Sequence, residues 1–214
     1  MNRLIVLAVL WLAALPAAHA DAPVILVFGD SISAGYGLPR VEQGWVALLQ
    51  AKLKQQGYGY DVVNASVSGE TTEGGLARLP RALSLHHPQI LLLELGGNDG
   101  LRALPIADMR SNLARMTDLA SAAGAKVLLL GMRIPPNYGA DYTAQFSAAY
   151  ADLAKTRHLP VVPFLLDGIA LNADLMQADG IHPNPSGQPR LLDNIWPALA
   201  PLLQHSRRSE PYRR

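Results

Sequence analysis

Cysteine is absent from all 214 residues. That excludes disulfides, thiolate-held metals and a lipid-modified cysteine behind the leader. An excess of one charge is missing too. Eighteen Lys and Arg stand against 17 Asp and Glu, a net +1, so no basic surplus argues for nucleic acid. Aromatic residues make up 6% and tryptophans number three, one of them the early Trp11, which argues mildly against a stacking platform for sugars. No apolar run reaches the ~20 residues of a membrane-spanning helix. The G-x-S-x-G elbow does not occur, nor does a G-x-x-x-x-G-K-[ST] loop. Gly35-Tyr36-Gly37-Leu38-Pro39-Arg40 starts like a dinucleotide fingerprint but lacks its third glycine.

The N-terminus reads as a leader. Met1-Asn2-Arg3 is basic, Leu4–Leu15 is unbroken apolar sequence, and Ala18-His19-Ala20 offers small residues for cleavage. Residues 1–20 are therefore expected to be a removed signal peptide and the protein to be exported, periplasmic or secreted. Residues 21–204 fit one domain with a sizeable core. Residues 205–214 carry four arginines and one glutamate and read as a solvated, disordered tail.

Apolar runs of strand length occur at Val24–Phe28, Val62–Ala65, Ile90–Leu95, Val127–Leu130 and Val161–Phe164. Helical periodicity lies between them: Trp45, Leu48, Leu49 and Leu53; Ile106, Met109, Leu113 and Met116; Tyr142, Phe146, Ala149 and Leu153. A shorter helix is expected over Gly74–Leu85 and a final one over Gln188–Leu203, kinked at Pro197. Continuous apolar strands alternating with amphipathic helices predict an α/β fold, its parallel sheet covered on both faces. The carboxyl ends of such strands share one edge, where ligands bind.

Three segments deliver chemistry to that edge. Gly29-Asp30-Ser31 ends the first run, Gly96-Gly97-Asn98-Asp99 ends the third, and Asp179-Gly180-Ile181-His182 precedes the last helix. Together they supply a hydroxyl, an amide, an imidazole and a carboxylate, the parts of acyl transfer by a serine. In Asp179-x-x-His182 the carboxylate can bond Nδ1–H and leave Nε2 toward Ser31. Ser31 N–H, Gly69 N–H and the Asn98 amide are candidate donors for an oxyanion. Taken singly, Asp30-Ser31 and Asn98-Asp99 read as caps, Gly69 as a turn and His182 as a loop histidine. Their convergence on one edge favours the catalytic reading. Asp30, Asp99, Asp179 and His182 form an alternative set for a hard metal and phosphoester chemistry. His86, His87, His158 and His205 read as surface residues.

These blocks resemble the SGNH (GDSL-type) hydrolase family, and within it the exported thioesterase I/lysophospholipase/arylesterase branch. Gly29–Tyr36 is similar to the first family block, with Ile32 where leucine is usual. Ser68–Thr72, Gly97–Arg102 and Asp179–Asn184 are similar to the others. The resemblance implies a flavodoxin-like three-layer α/β/α sandwich on a five-stranded parallel sheet. It also implies a Ser31–Asp179–His182 triad, an oxyanion hole of Ser31, Gly69 and Asn98, and no metal or organic cofactor. The expected substrates are acyl thioesters, carboxylic esters and lysophospholipids, the expected partners small molecules only, with at most peripheral membrane contact, and the expected state a monomer. Gly131–Gly139 resembles the family's mobile substrate loop, with Ile134, Pro135, Pro136 and Tyr138 as its contact residues and glycines at both ends as hinges. A carbohydrate O-acetylesterase and a non-catalytic acyl or lipid carrier are the competing functions.

Overall fold

The computed structural model describes residues 22–204; the leader and tail readings fall outside them. Five strands, β1 (Val24–Gly29), β2 (Asp61–Asn64), β3 (Ile90–Glu94), β4 (Lys126–Leu130) and β5 (Val161–Val162), form one parallel sheet in the order β2-β1-β3-β4-β5. Seven helices connect or follow them: α1 (Ser31–Ala34), α2 (Trp45–Gln55), α3 (Thr72–His86), α4 (Gly97–Leu101), α5 (Ile106–Ala122), α6 (Ala140–Arg157) and α7 (Gln188–Leu199). Helices α3, α5 and α6 pack side by side in one layer, and α2 and α7 form the other. No helix among the described residues is long and apolar enough to cross a membrane.

The chain order explains the core. The central strands β1 and β3 are flanked on both sides and covered on both faces, so Ile25–Phe28 and Ile90–Leu93 are buried without alternation. Helix periodicity supplies the two outer layers. Met109, Leu113, Met116 and Ala120 of α5 and Leu191, Leu192, Ile195 and Leu199 of α7 turn one stripe inward. Phe146 of α6 is fully buried, meets the Tyr150 ring edge-on at 5.6 Å, and packs where a side chain on Gly100 of α4 would otherwise sit. Phe146→Ala is expected to cost about 3–5 kcal/mol of unfolding free energy, readable as a lower urea midpoint. It should also loosen α4.

Element boundaries depart from the sequence pattern where backbone chemistry intervenes. The fifth strand stops at Val162 because the next rung, to Gly131 O, is made by Leu165 N–H at 2.8 Å in place of Phe164, so the chain leaves the ladder one residue out of step. The last bond there runs from Gly131 N–H to Val162 O at 2.7 Å. Helix α3 starts earlier than expected, at Thr72, with the Thr71 hydroxyl accepting from Gly74 N–H, and it accommodates Pro80. The second strand is shifted one residue toward the N-terminus. Pro197 lies near the end of α7, which passes into a 3-10 turn at Ala200–Leu202.

Candidate active site

The sheet order reverses direction at β1: the chain crosses from β1 to β2 on one side and to β3 on the other. A crevice opens at such a switch point, outside the carboxyl ends of the two strands. Ser31 leaves β1 directly into this crevice as the first residue of α1. Asp30 caps that short helix, its Oδ1 accepting from Ile32 N–H at 3.1 Å. The Gly96–Asn98 segment leaves β3 on the other side of the crevice, and Gly69 arrives from the loop after β2.

The candidate base, His182, comes from a heavily pinned segment 151 residues along the chain from Ser31. Asp179 Oδ1 accepts from the N–H groups of Ile181 and His182 at 2.9 and 3.0 Å, and Gly180 at φ 67° allows the turn between them. Its other oxygen, Oδ2, lies 2.6 Å from His182 Nδ1. His182 Nε2 lies 2.8 Å from Ser31 Oγ. Burial of Asp179 disfavours its charge, but the hydrogen bonds from His182 and Ile181 outweigh that and hold its carboxyl down at about 2. Gln177 donates from Nε2 to Tyr36 O (2.8 Å) and Pro183 O (3.1 Å), and the Tyr36 ring stacks at a tilt on the imidazole, centroids 4.7 Å apart. The Gln177 amide and the Tyr36 ring thus tie the histidine loop to the serine loop. Neither stood out in the sequence, since a glutamine and a tyrosine carry no signal without coordinates.

The three candidate oxyanion donors converge on the same crevice. Among the described residues neither Ser31 N–H nor Gly69 N–H has an acceptor within the fold. Gly69 has φ 79°, and a Cβ there would meet nothing closer than Arg102 at 3.8 Å. The glycine therefore serves the backbone conformation rather than the space above the N–H. Asn98 Nδ2 donates to Asp30 Oδ2 at 3.1 Å and to Glu70 O at 3.0 Å, which aims its amide between the first and second blocks.

The alternative metal set does not assemble. Asp99 faces away from Asp30. It is buried inside α4, where its oxygens accept from Thr72 N–H (2.9 Å) and Thr72 Oγ1 (2.5 Å), which joins α4 to the start of α3. No group of three or more metal-ligating side chains occurs among the described residues. His86 is partly buried and His87 and His158 are exposed; the last two terminate α3 and α6 in left-handed conformation. His205 lies outside the described residues.

In the Gly131–Gly139 loop, Ile134 is buried against α4, Pro135 and Pro136 are exposed, and Tyr138 donates from its hydroxyl to Leu101 O at 2.8 Å. Gly131 is held through both its N–H and its carbonyl, and a side chain there would strike Pro163 O. It is a packing glycine, which argues against the expected hinge at that end of the loop.

Doubly wound topology with a hydrogen-bonded Ser-His-Asp set outside the carboxyl ends of β1 and β3 places the chain among α/β folds whose geometry suits a serine hydrolase. Comparison with known proteins narrows this to a family. The model of the GDSL-like lipase/acylhydrolase family matches residues 27–190, and the chain belongs to that family. It is 54% identical to Esterase TesA of Pseudomonas aeruginosa over 86% of this chain and 92% of that protein. It is 43% identical to thioesterase 1/protease 1/lysophospholipase L1 of Escherichia coli (strain K12), over 87% and 88% respectively. A crystal structure of TesA superimposes with a TM-score of 0.82 at 54% identity, covering 84% of this chain and 99% of that one. The protein is thus a hydrolase of the GDSL/SGNH type.

Proposed function

We propose that this hydrolase cleaves acyl thioesters, carboxylic esters and lysophospholipids through a Ser31–His182–Asp179 triad and an acyl-enzyme intermediate. The observation that carries the reading is the unbroken relay from Asp179 Oδ2 to His182 Nδ1 (2.6 Å) and from His182 Nε2 to Ser31 Oγ (2.8 Å). Ser31 Oγ attacks the acyl carbonyl as its proton passes to Nε2, and Asp179 stabilises the imidazolium. The carbonyl electron pair moves onto oxygen, where Ser31 N–H, Gly69 N–H and Asn98 Nδ2 donate. Both Asn98 amide hydrogens are engaged at rest, so the oxyanion takes over one that Asp30 or Glu70 holds. Collapse expels the thiolate or alkoxide, which takes the proton from Nε2. Water then attacks the acyl-serine as His182 takes its proton, and collapse breaks the acyl–Oγ bond, releasing the carboxylic acid while Nε2 returns the proton to Ser31 Oγ.

The activities in the names of the relatives, Esterase TesA and thioesterase 1/protease 1/lysophospholipase L1, support this substrate class. Ile134 and Tyr138 stand against α4, which carries Asn98, and we assign them, with Pro135 and Pro136 of the same loop, to the acyl-binding side. The leader composition of residues 1–20 supports export, with residues 21–204 as one hydrolase domain that works without a metal or organic cofactor.

Treatment with a fluorophosphonate followed by intact mass and peptide mapping tests the mechanism. One adduct on Ser31, lost in His182→Ala, is expected. A folded protein that takes no adduct, or takes it elsewhere, overturns the assignment.

A further inference from the structure

Behind the nucleophile lies a carboxyl that this reaction does not use. Glu94 ends β3 and is fully buried. Its strand pairs with β1 so that Glu94 stands opposite Gly29, and a methyl group on Gly29 would collide with Glu94 Oε2 and with Glu94 O. The glycine of Gly29-Asp30-Ser31 therefore makes room for this carboxyl. Oε2 accepts two hydrogen bonds, from Asp30 N–H at 3.1 Å and from the Ser33 hydroxyl at 2.7 Å. One oxygen thus holds the residue before Ser31 and the side chain two residues after it.

We propose that Glu94 is a positioning residue for the nucleophile: by clamping both flanks of Ser31 through Oε2, it sets where Ser31 Oγ stands against His182. The proposal rests on Ser31 being the nucleophile. Through Asp30 the clamp extends further, because Asp30 Oδ2 accepts from Asn98 and Oδ1 caps α1. Serine and oxyanion amide are thereby referred to one buried point in the sheet. The distance from Ser31 Oγ to the base and the aim of Asn98 are set by it together.

The clamp needs an acceptor, not a charge. Glu94 Oε1 has no hydrogen-bond partner among the described residues. The ionisable groups acting with it are the Asp30 carboxyl and the Tyr150 hydroxyl, and neither is a cation. Burial first, and the Asp30 charge second, push the Glu94 carboxyl well above its ordinary range. Burial likewise raises Asp30, to about 6, against the hydrogen bond from Ile32 N–H and the pull of His182. Both causes favour the neutral form of Glu94, the form that a neutral amide resembles.

Steady-state hydrolysis of a p-nitrophenyl acyl ester and the rate of fluorophosphonate labelling, measured on wild type, Glu94→Gln, Glu94→Ala and Ser33→Ala, test this. Glu94→Gln is expected to keep kcat within about 3-fold of wild type with an unmoved acid limb of the pH profile, since its amide oxygen accepts both bonds. Glu94→Ala, folded by circular dichroism, is expected to lose about 10- to 100-fold in kcat and in labelling rate with little change in KM. Ser33→Ala, which breaks one of the two bonds and leaves the carboxyl in place, should fall between them, and it decides the matter if Glu94→Ala does not fold. Wild-type rates in Glu94→Ala or in Ser33→Ala overturn the proposal. A Glu94→Gln loss as deep as that of Glu94→Ala, with the acid limb displaced, also overturns it, because charge would then be the active property. Labelling of wild type at Ser31 is the reference. Its failure sinks the serine mechanism itself, whereas equal labelling across the series sinks only the role of Glu94.

Discussion

Ser31→Ala is expected to leave a folded protein whose kcat for an acyl ester has fallen on the order of 10⁴- to 10⁶-fold. Ser31 is only half-buried and its hydroxyl meets His182 Nε2 and the Asp30 carboxyl at the crevice, so the truncation opens no core cavity. The thermal midpoint should stay within about 2 °C of wild type, as for a surface substitution. What goes is the atom proposed to form the acyl-enzyme. The donors left behind, Ser31's successor N–H, Gly69 N–H and Asn98 Nδ2, still polarise a bound carbonyl, so a small residual rate above water is expected. KM should change little, because the lost interaction forms in the transition state rather than on binding. Turnover by Ser31→Ala within about 10-fold of wild type would remove Ser31 from the mechanism, since no other group in the crevice could replace a covalent nucleophile.

Asp179→Asn isolates the tautomer. In the variant the amide oxygen would still accept from the Ile181 and His182 N–H groups, which keeps the turn. The amide nitrogen then stands where Oδ2 did and donates to His182 Nδ1. The imidazole is forced to carry its proton on Nε2, facing Ser31, where it can no longer act as a base. The expected loss is about 10⁴-fold in kcat with intact folding. Normal turnover in this variant would take Asp179 out of the triad. The pH dependence follows from the depressed carboxyl. Its charge persists down to about 2, so the acid limb of wild-type activity above that pH does not report Asp179 losing its charge. Its contribution to folding is present above the ordinary carboxyl range near 3.8 and is lost as pH falls through about 2. Asp179→Asn should therefore flatten the wild-type rise in unfolding free energy between those values, measured by urea titration at several pH values.

Several elements were legible before any coordinates. The runs Val24–Phe28, Ile90–Leu95 and Val127–Leu130 are strands because uninterrupted β-branched and leucine sequence can be satisfied only by burial on both faces. The stripes on α2, α5 and α6 reproduce the periodicity that announced them. Asp179-x-x-His182 contained its own geometry, since a three-residue spacing across a glycine brings carboxylate to imidazole without help from the rest of the fold. Other features were hidden. β5 ends where Leu165 rather than Phe164 takes the Gly131 carbonyl, which apolar content does not reveal. Asp99 looked like a helix cap or a ligand but bonds to Thr72, 27 residues away. Glu94 had one trace, a lone carboxylate closing an apolar strand; its partners across the sheet were invisible.

Local rules of periodicity, turn chemistry and short spacing act within a few residues, so the sequence by itself determined the α/β class, the parallel strands, the carboxylate–imidazole pair and the hydroxyl placed at a strand end. The order β2-β1-β3-β4-β5 belongs to the tertiary structure alone. Sheet order depends on which strands bury one another, a property of the whole core. That order puts the crevice between β1 and β3, brings Ser31 within 2.8 Å of His182, and lays Glu94 beneath Gly29. Contacts between residues 64 and 151 positions apart are decided by packing, because nothing in either local segment specifies the other.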